Sequence, residues 1–227
     1  MKRFLSLLAL AIFGTCAMAA PTPASQLIVN GSFESTVIGN GNWANVTSIA
    51  GWTWLAGPGT GFEVRNDVAG SAQEGRNYLE LDTNGNSLIG QYLDNLSGGD
   101  RYDLSFWYAP REYQAASTNG IQVFWNGVQI GDTLTGFGGS SNSWSQHEVR
   151  LTAQAGRNLL SFASVGTSDG LGGNLDNVSL VNRIPEPGSL ALALAALAVA
   201  FLLPGMLRRR GELRRAIALA STLKRDA

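Results

Sequence analysis

Hydrophobic and polar residues alternate in short runs through the middle of the chain, and Gly, Asn, Asp and Ser punctuate the runs. A period of two predicts β-strands, because successive strand side chains point to opposite faces. The pattern predicts strands at 26–33, 51–55, 61–65, 77–82, 87–93, 101–109, 120–125, 128–133, 145–153, 157–165 and 174–181. No run carries a helical period. So many strands in one segment favour an all-β fold, a two-sheet antiparallel sandwich over residues 20–183. Within 121–130, Asn126-Gly127 lies between β-rich runs and predicts a type I′ hairpin, whose two central residues need positive φ. That turn pairs Trp125 with Val128 and Val123 with Ile130. It places Ile121, Val123, Trp125, Val128 and Ile130 on the core face and Gln122, Phe124 and Gln129 on the other. The same alternation turns Tyr102, Leu104, Phe106 and Tyr108 inward and Asp103, Ser105 and Trp107 outward. Leu79 and Leu81 go inward, Tyr78, Glu80 and Asp82 outward.

The ends have a different grain. Met1-Lys2-Arg3 is followed by an almost unbroken apolar run from Phe4 to Phe13 and by the small residues Ala17-Met18-Ala19, the layout of a signal peptide over residues 1–19. The run is shorter than the ~20 residues of a bilayer span. Cys16, the single cysteine, would leave with it, so the mature chain has no disulfide and no thiolate chemistry. Near the other end a second apolar run covers 189–207, nineteen residues that as a helix would extend about 28 Å, close to the hydrocarbon thickness. Arg208, Arg209 and Arg210 follow it and mark that end as cytoplasmic, leaving the middle segment outside the inner membrane.

Charge follows the same division. The chain has 227 residues with only 15% charged and 28 glycines, too apolar for a disordered protein. Residues 20–184 hold seven arginines against 14 acidic residues, a net charge of −7. Nucleic-acid binding needs clustered positive charge, so that class is excluded for this segment.

The order of Pro185-Glu186-Pro187, apolar span and basic cluster over 184–210 resembles the PEP-CTERM sorting tail. The resemblance implies recognition by an exosortase, cleavage near the tripeptide, and export to the surface or exopolysaccharide matrix of a Gram-negative cell. Tails of that family stop soon after the basic cluster, whereas 211–227 continues here as a basic cytoplasmic tail. In it Leu213, Ile217 and Ala220 share one helical face, so the segment either lies on the inner leaflet or is a frayed basic end.

The middle segment carries its own resemblance. Asn30-Gly31-Ser32-Phe33-Glu34 at its start and Leu175-Asp176-Asn177-Val178-Ser179 at its end are similar to the ends of galactose-binding-like jelly rolls, the fold of many carbohydrate-binding modules. Gly75-Arg76-Asn77-Tyr78-Leu79-Glu80-Leu81 and Tyr102-Asp103-Leu104-Ser105-Phe106 fit that pattern, which spans about 26–182. The resemblance implies a structural Ca²⁺ shared by Glu34 and Asp176, with backbone carbonyls completing the six to eight oxygens that Ca²⁺ takes. Without a metal, the two residues read as a solvated Glu and a turn-forming Asp.

Three kinds of chemistry fit these residues. A pyranose presents an apolar face to an aromatic plane and hydroxyls to carboxylates and amides. Trp107, Phe124, Tyr78, Glu80, Asp82 and Gln122 supply that mixture on the polar phase of their strands, and Trp52 and Trp54 beside the 57–61 glycine-rich loop offer a second platform. Trp43 and Tyr113 fall in expected loops. The second kind is none at all: a structural matrix protein whose aromatics only pack. The third is glycan cleavage by a carboxylate pair such as Glu80 and Asp82, ~7 Å apart on one face. His147, the lone histidine, stands in an alternating strand with Val149 and Leu151, a packed imidazole rather than a general base, and no hydrolase or zinc motif is present. The sequence therefore points to non-catalytic binding of exopolysaccharide or another surface glycan.

Overall fold

The computed structural model describes residues 25–182, together with Leu197 and Phe201. The signal peptide, the Pro185-Glu186-Pro187 motif, the arginine cluster and the 211–227 tail lie outside the described residues. Among the described residues no helix is long and apolar enough to cross a membrane.

Eleven strands form two antiparallel sheets: β1 (Asn42–Val46), β2 (Thr53–Ala56), β3 (Phe62–Asn66), β4 (Asn77–Glu80), β5 (Leu88–Leu96), β6 (Arg101–Ala109), β7 (Gly120–Trp125), β8 (Val128–Gln129), β9 (Ser145–Thr152), β10 (Gly156–Val165) and β11 (Asn174–Asn182). A six-stranded sheet runs β1-β3-β4-β11-β6-β9 and a five-stranded sheet runs β2-β5-β10-β7-β8. The chain passes repeatedly from one sheet to the other, so neighbours within each sheet are mostly distant in sequence.

The inner faces are those that alternation selects. Tyr102, Leu104, Phe106 and Tyr108 are buried, as are Leu79, Leu81, Ile121 and Val123. Phe33, Trp52, Phe162 and Phe106 form a continuous aromatic chain through the core, with ring centroids 5.4, 6.1 and 5.3 Å apart along it. Trp52 Nε1 donates to the Asn30 carbonyl at 3.1 Å, so its one polar atom is satisfied. Trp125 is buried as expected and donates to the Thr152 carbonyl at 2.9 Å, fastening β7 to the end of β9.

The hairpin at 121–130 takes the expected form. Asn126 and Gly127 have φ of 51° and 78°, and Trp125 faces Val128. Val128, expected on the core face, is instead exposed, because β8 is a two-residue strand at the open edge of its sheet. Residues 26–33 are not a strand. Gln26 makes a single bridge to Val181, and then positive φ at Asn30 and Phe33 curls the chain into a turn. The strand β1 was not visible in the sequence, since its Asn-rich alternation resembles loop composition; it pairs with β3 from Asn42↔Asn66 to Val46↔Phe62.

The curled entry packs backbone against backbone. Val178 N–H donates to the Gly31 carbonyl at 3.0 Å, and a Cβ on Gly31 would stand 1.9 Å from the Val178 carbonyl oxygen. Gly31→Ala is therefore expected to lower stability by about 1–3 kcal/mol, the usual cost of overpacking a site that cannot open. Chemical denaturation of the two proteins reads this directly, and an unchanged midpoint would refute the close approach.

Candidate functional site

The outer face of the six-stranded sheet is polar in sequence but not open. Glu63, Arg65, Tyr78, Glu80, Asp82, Asn174 and Asp176 are all buried there. Loops fold down over this end of the sheet. Tyr78 donates its hydroxyl proton to the Val68 carbonyl and meets Trp144 edge-on, 5.7 Å between rings. Trp144 Nε1 and Asn142 Nδ2 both donate to the Ser71 carbonyl, joining the two covering loops. Tyr78 and Glu80 thus take the outer side of the sheet as expected, but they and Asp82 are not available on a wet polar face: alternation sets which side a residue takes, and the loops decide whether that side is wet.

Under this cover lies an ion network. Arg65 Nη2 stands 2.5 Å from Glu63 Oε1 and 2.9 Å from Glu80 Oε2, and Arg111 Nη1 donates to both oxygens of Glu80 at 2.6 and 2.7 Å. Gly172 N–H donates to Glu80 Oε1 at 2.9 Å. Two carboxylates and two guanidinium groups balance, which makes burial of all four tolerable. Burial pushes Glu63 upward and Glu80 up to about 7, against the pull of the arginines. Asp82 is held by loop amides instead: its Oδ2 accepts from Asp169 and Gly170 N–H at 3.0 and 3.2 Å. Neither acid of the Glu80–Asp82 pair reaches solvent, so the alternative of glycan cleavage by this pair has no access for substrate.

Glu34 and Asp176, the expected calcium partners, converge on the same five-residue turn. Asp176 Oδ2 accepts from Gln73 and Glu74 N–H at 2.8 and 3.0 Å, and its Oδ1 from Asn177 N–H at 2.6 Å. Glu34 Oε1 accepts from Arg76 and Asn77 N–H at 2.7 and 2.6 Å. Two carboxylates thereby staple the chain entry and the last strand to the 73–77 turn. Glu34 Oε2 and the second lone pair of Asp176 Oδ1 remain as hard-oxygen donors, a set chemically compatible with Ca²⁺.

The remaining candidates are scattered. Trp52 is core rather than platform, because it fills the gap between Phe33 and Phe162. Trp54 is partly exposed at the sheet edge, in register with the inward Ile89. Trp107 is half-buried, in register with Asp176 on one side and Gln146 on the other. Beyond it the six-stranded face carries a groove of about 460 Å³ lined by Asp103, Ser105, Glu148, Arg150 and Val181, with no aromatic floor. His147 stacks on Phe106 at 5.4 Å and lies 3.1 Å from Ser145 Oγ, and burial lowers its pKa. Trp43 is in β1 and Tyr113 in a loop, both exposed.

Phe124 and Gln122 are on the other sheet altogether. In the five-stranded sheet, register aligns Thr53, Gly90, Ser161, Phe124 and Gln129 in one row across the strands. Leu88, Ala163 and Gln122 form the next row, and Tyr92 and Leu159 flank the first on its other side. This face is open. A Cβ on Gly90 would stand 2.8 Å from Leu55 Cδ1 and 3.0 Å from Leu159 Cδ1, so the absence of a side chain lets these leucines close into an apolar floor. Tyr92, 43% exposed, has the Arg157 guanidinium 4.8 Å from its ring centroid, and Arg157 Nε donates to Asp94 Oδ1 at 2.7 Å. That hydrogen bond lowers the Asp94 pKa. Tyr92 was missed in the sequence, although it stands in the polar phase of β5 beside Asp94, the same signal that singled out Trp107.

No protein-family model matches the chain. The multifunctional-autoprocessing repeats-in-toxin of Vibrio cholerae serotype O1 is 36% identical over 155 residues, which cover 68% of this chain and 3% of the toxin. Halomucin of Haloquadratum walsbyi is 29% identical over 168 residues, 69% of this chain and 2% of that protein. The chain thus spans only a few per cent of the length of the curated relatives it matches. Among solved structures, TmCBM61 in complex with β-1,4-galactotriose matches with a TM-score of 0.47 and 15% identity, over 70% of this chain and 99% of that one.

The buried carboxylates give the site a pH signature. Asp176 is pushed by burial up to about 7 despite its three amide donors. In the unfolded chain it ionises near pH 4, so between about 4 and 7 the folded state binds more protons and stability falls as pH rises. Urea unfolding in chelator-treated buffer should therefore show higher stability at pH 4.5 than at 7.5, and Asp176→Asn should reduce that slope by about one proton. A slope of the opposite sign would refute it.

Proposed function

We propose that this chain is an exported, non-catalytic glycan-binding jelly-roll module, and that its sugar platform is the outer face of the five-stranded sheet. The observation that carries the reading is the open apolar floor of Leu55 and Leu159, with Tyr92 and Phe124 beside it and amide and charged side chains around it. Tyr92 and Phe124 are separated by two strand spacings and two residues, ~12 Å, which suits linked sugar units better than a single ring. Gln122, Gln129, Asp94 and Arg157 are placed to take hydroxyls, while the aromatic rings meet the apolar faces of the sugars.

The address belongs to the same proposal. The signal peptide would export the chain, and the tail over 184–210 would present it to an exosortase at the inner membrane before release to the surface or exopolysaccharide matrix. Ca²⁺ at Glu34 and Asp176 would neutralise the two carboxylates that hold the chain entry to the last strand.

Affinity electrophoresis of the purified chain through acidic and neutral exopolysaccharides tests the platform. Retention by at least one of them is expected, with Tyr92→Ala/Phe124→Ala weakening it about tenfold or more, the equivalent of roughly 1.4 kcal/mol. Trp107→Ala, on the opposite sheet, should leave retention unchanged. Loss with Trp107→Ala alone would move the site to the other face, and no retention on any polysaccharide would favour a structural matrix protein.

A further inference from the structure

At one end of the sandwich, the start of the β4–β5 turn, the residues before β7 and the loop before β11 meet around a group of oxygens with too few protons. Thr118 Oγ1 stands 2.7 Å from Asp169 Oδ1, 3.3 Å from the Thr167 carbonyl, and within hydrogen-bond reach of the Leu171 carbonyl. A hydroxyl has one proton and can satisfy one of these three acceptors. Leu171 N–H, 3.2 Å from Asp169 Oδ1, is the only other donor to the group, and neither carbonyl accepts a backbone N–H among the described residues. The residue beside them is Asp82, with 0% exposure. Its Oδ2 takes the Asp169 and Gly170 amides, while its Oδ1 is buried with no hydrogen-bond partner among the described residues.

Charge sharpens the anomaly. Glu80, two residues away, is neutralised by two guanidinium groups. Neither Asp82 nor Asp169 has an ion-pair partner among the described residues; the Arg111 guanidinium reaches this loop only at the Gly170 carbonyl, 3.4 Å away, and is committed to Glu80. A buried carboxylate oxygen with no partner is costly, and excess acceptors around one proton repel each other. A hard cation resolves both at once.

We propose that Asp82, Thr118, Asp169 and the carbonyls of Thr167 and Leu171 form a calcium site. The group offers five oxygens, and Ca²⁺ takes six to eight at roughly 2.3–2.6 Å, so water entering past the exposed Asp169 completes the shell. The ion ties the loop before β11 to β4 and β7. The hydrogen bonds of Asn86 with Ser168 and Gly166 and of Thr167 N–H with the Ser117 carbonyl already hold these segments in place. This site is distinct from the Glu34–Asp176 pair, which grips the 73–77 turn, and it does not depend on the sugar platform.

Isothermal titration of chelator-treated full chain with CaCl₂, alongside thermal melting, tests the assignment. Wild type is expected to bind Ca²⁺ and melt higher with it. Asp169→Asn, altering an exposed side chain, should keep the far-UV spectrum but lose one bound Ca²⁺ per chain or weaken its binding at least tenfold. Thr118→Val should weaken it as well, and Glu34→Gln should leave this binding event in place. The proposal is overturned if wild type takes up no Ca²⁺, if Asp169→Asn binds it as wild type does, or if all binding disappears with Glu34→Gln.

Discussion

Compensation of buried carboxylates on one sheet face governs the architecture of this domain. Glu80 at the end of β4, Asp82 just beyond it and Asp176 on the neighbouring β11 are all buried on the outer side of the six-stranded sheet. An uncompensated buried charge costs several kcal/mol, so each needs donors. The strands supply few of them, Arg65 of β3 for Glu80 and the Asn177 amide at the β11 irregularity for Asp176, since most strand amides are committed to the sheet. The remaining donors come from loops: Arg111 and Gly172 for Glu80, Asp169 and Gly170 for Asp82, and Gln73 and Glu74 for Asp176. The same bonds that satisfy the acids draw the loops down and close that end of the sheet. That end of the outer surface is therefore committed to holding the fold together, while the outer face of the five-stranded sheet carries no such ion network among the described residues.

Much of the fold was legible because alternation is a local property. The inward residues of β6 and β7 were read correctly, and Asn126-Gly127 fixed the hairpin register through its own backbone preference. Two local failures have physical causes. The 26–33 run looks like a strand by composition, but close packing at Gly31 and positive φ at Asn30 and Phe33 require a turn. Residues 42–46 look like loop, and they become β1 only because β3 offers an edge to pair with. Propensity in strands is mostly a statement about neighbours, which the local sequence does not contain.

The candidate site was legible only in fragments for a related reason. Phe124 and Gln122 were found by their phase, but were grouped with Tyr78, Glu80 and Trp107, which belong to the opposite sheet. Phase tells inner from outer and is silent on which sheet a strand joins. Strand order here depends on pairings as distant as β2 with β5 and β5 with β10. Trp52 and Trp125 show the matching ambiguity for aromatics. Both are buried, yet only Trp125 stood in a strand whose alternation declared it core.

For the glycan platform proposed on the five-stranded sheet, the division of charge between the faces bears on which polysaccharides would suit it. The segment 20–184 has a net charge of −7, which taken as a whole would repel an anionic polysaccharide. The net value does not describe the platform. On the outer face of the five-stranded sheet the charged residues are Asp94 and Arg157, and they are paired with each other. Glu63, Glu80, Asp82 and Asp176 are beneath loops on the opposite side, and the Asp103–Glu148–Arg150 groove is also on that side. With a screening length near 8 Å at physiological ionic strength, exposed charges across the thickness of a sandwich are felt weakly at this surface. Under the proposed reading, an acidic polysaccharide laid on this sheet would meet a nearly neutral apolar floor, and the Arg157 guanidinium over Tyr92 would offer its carboxylates a partner.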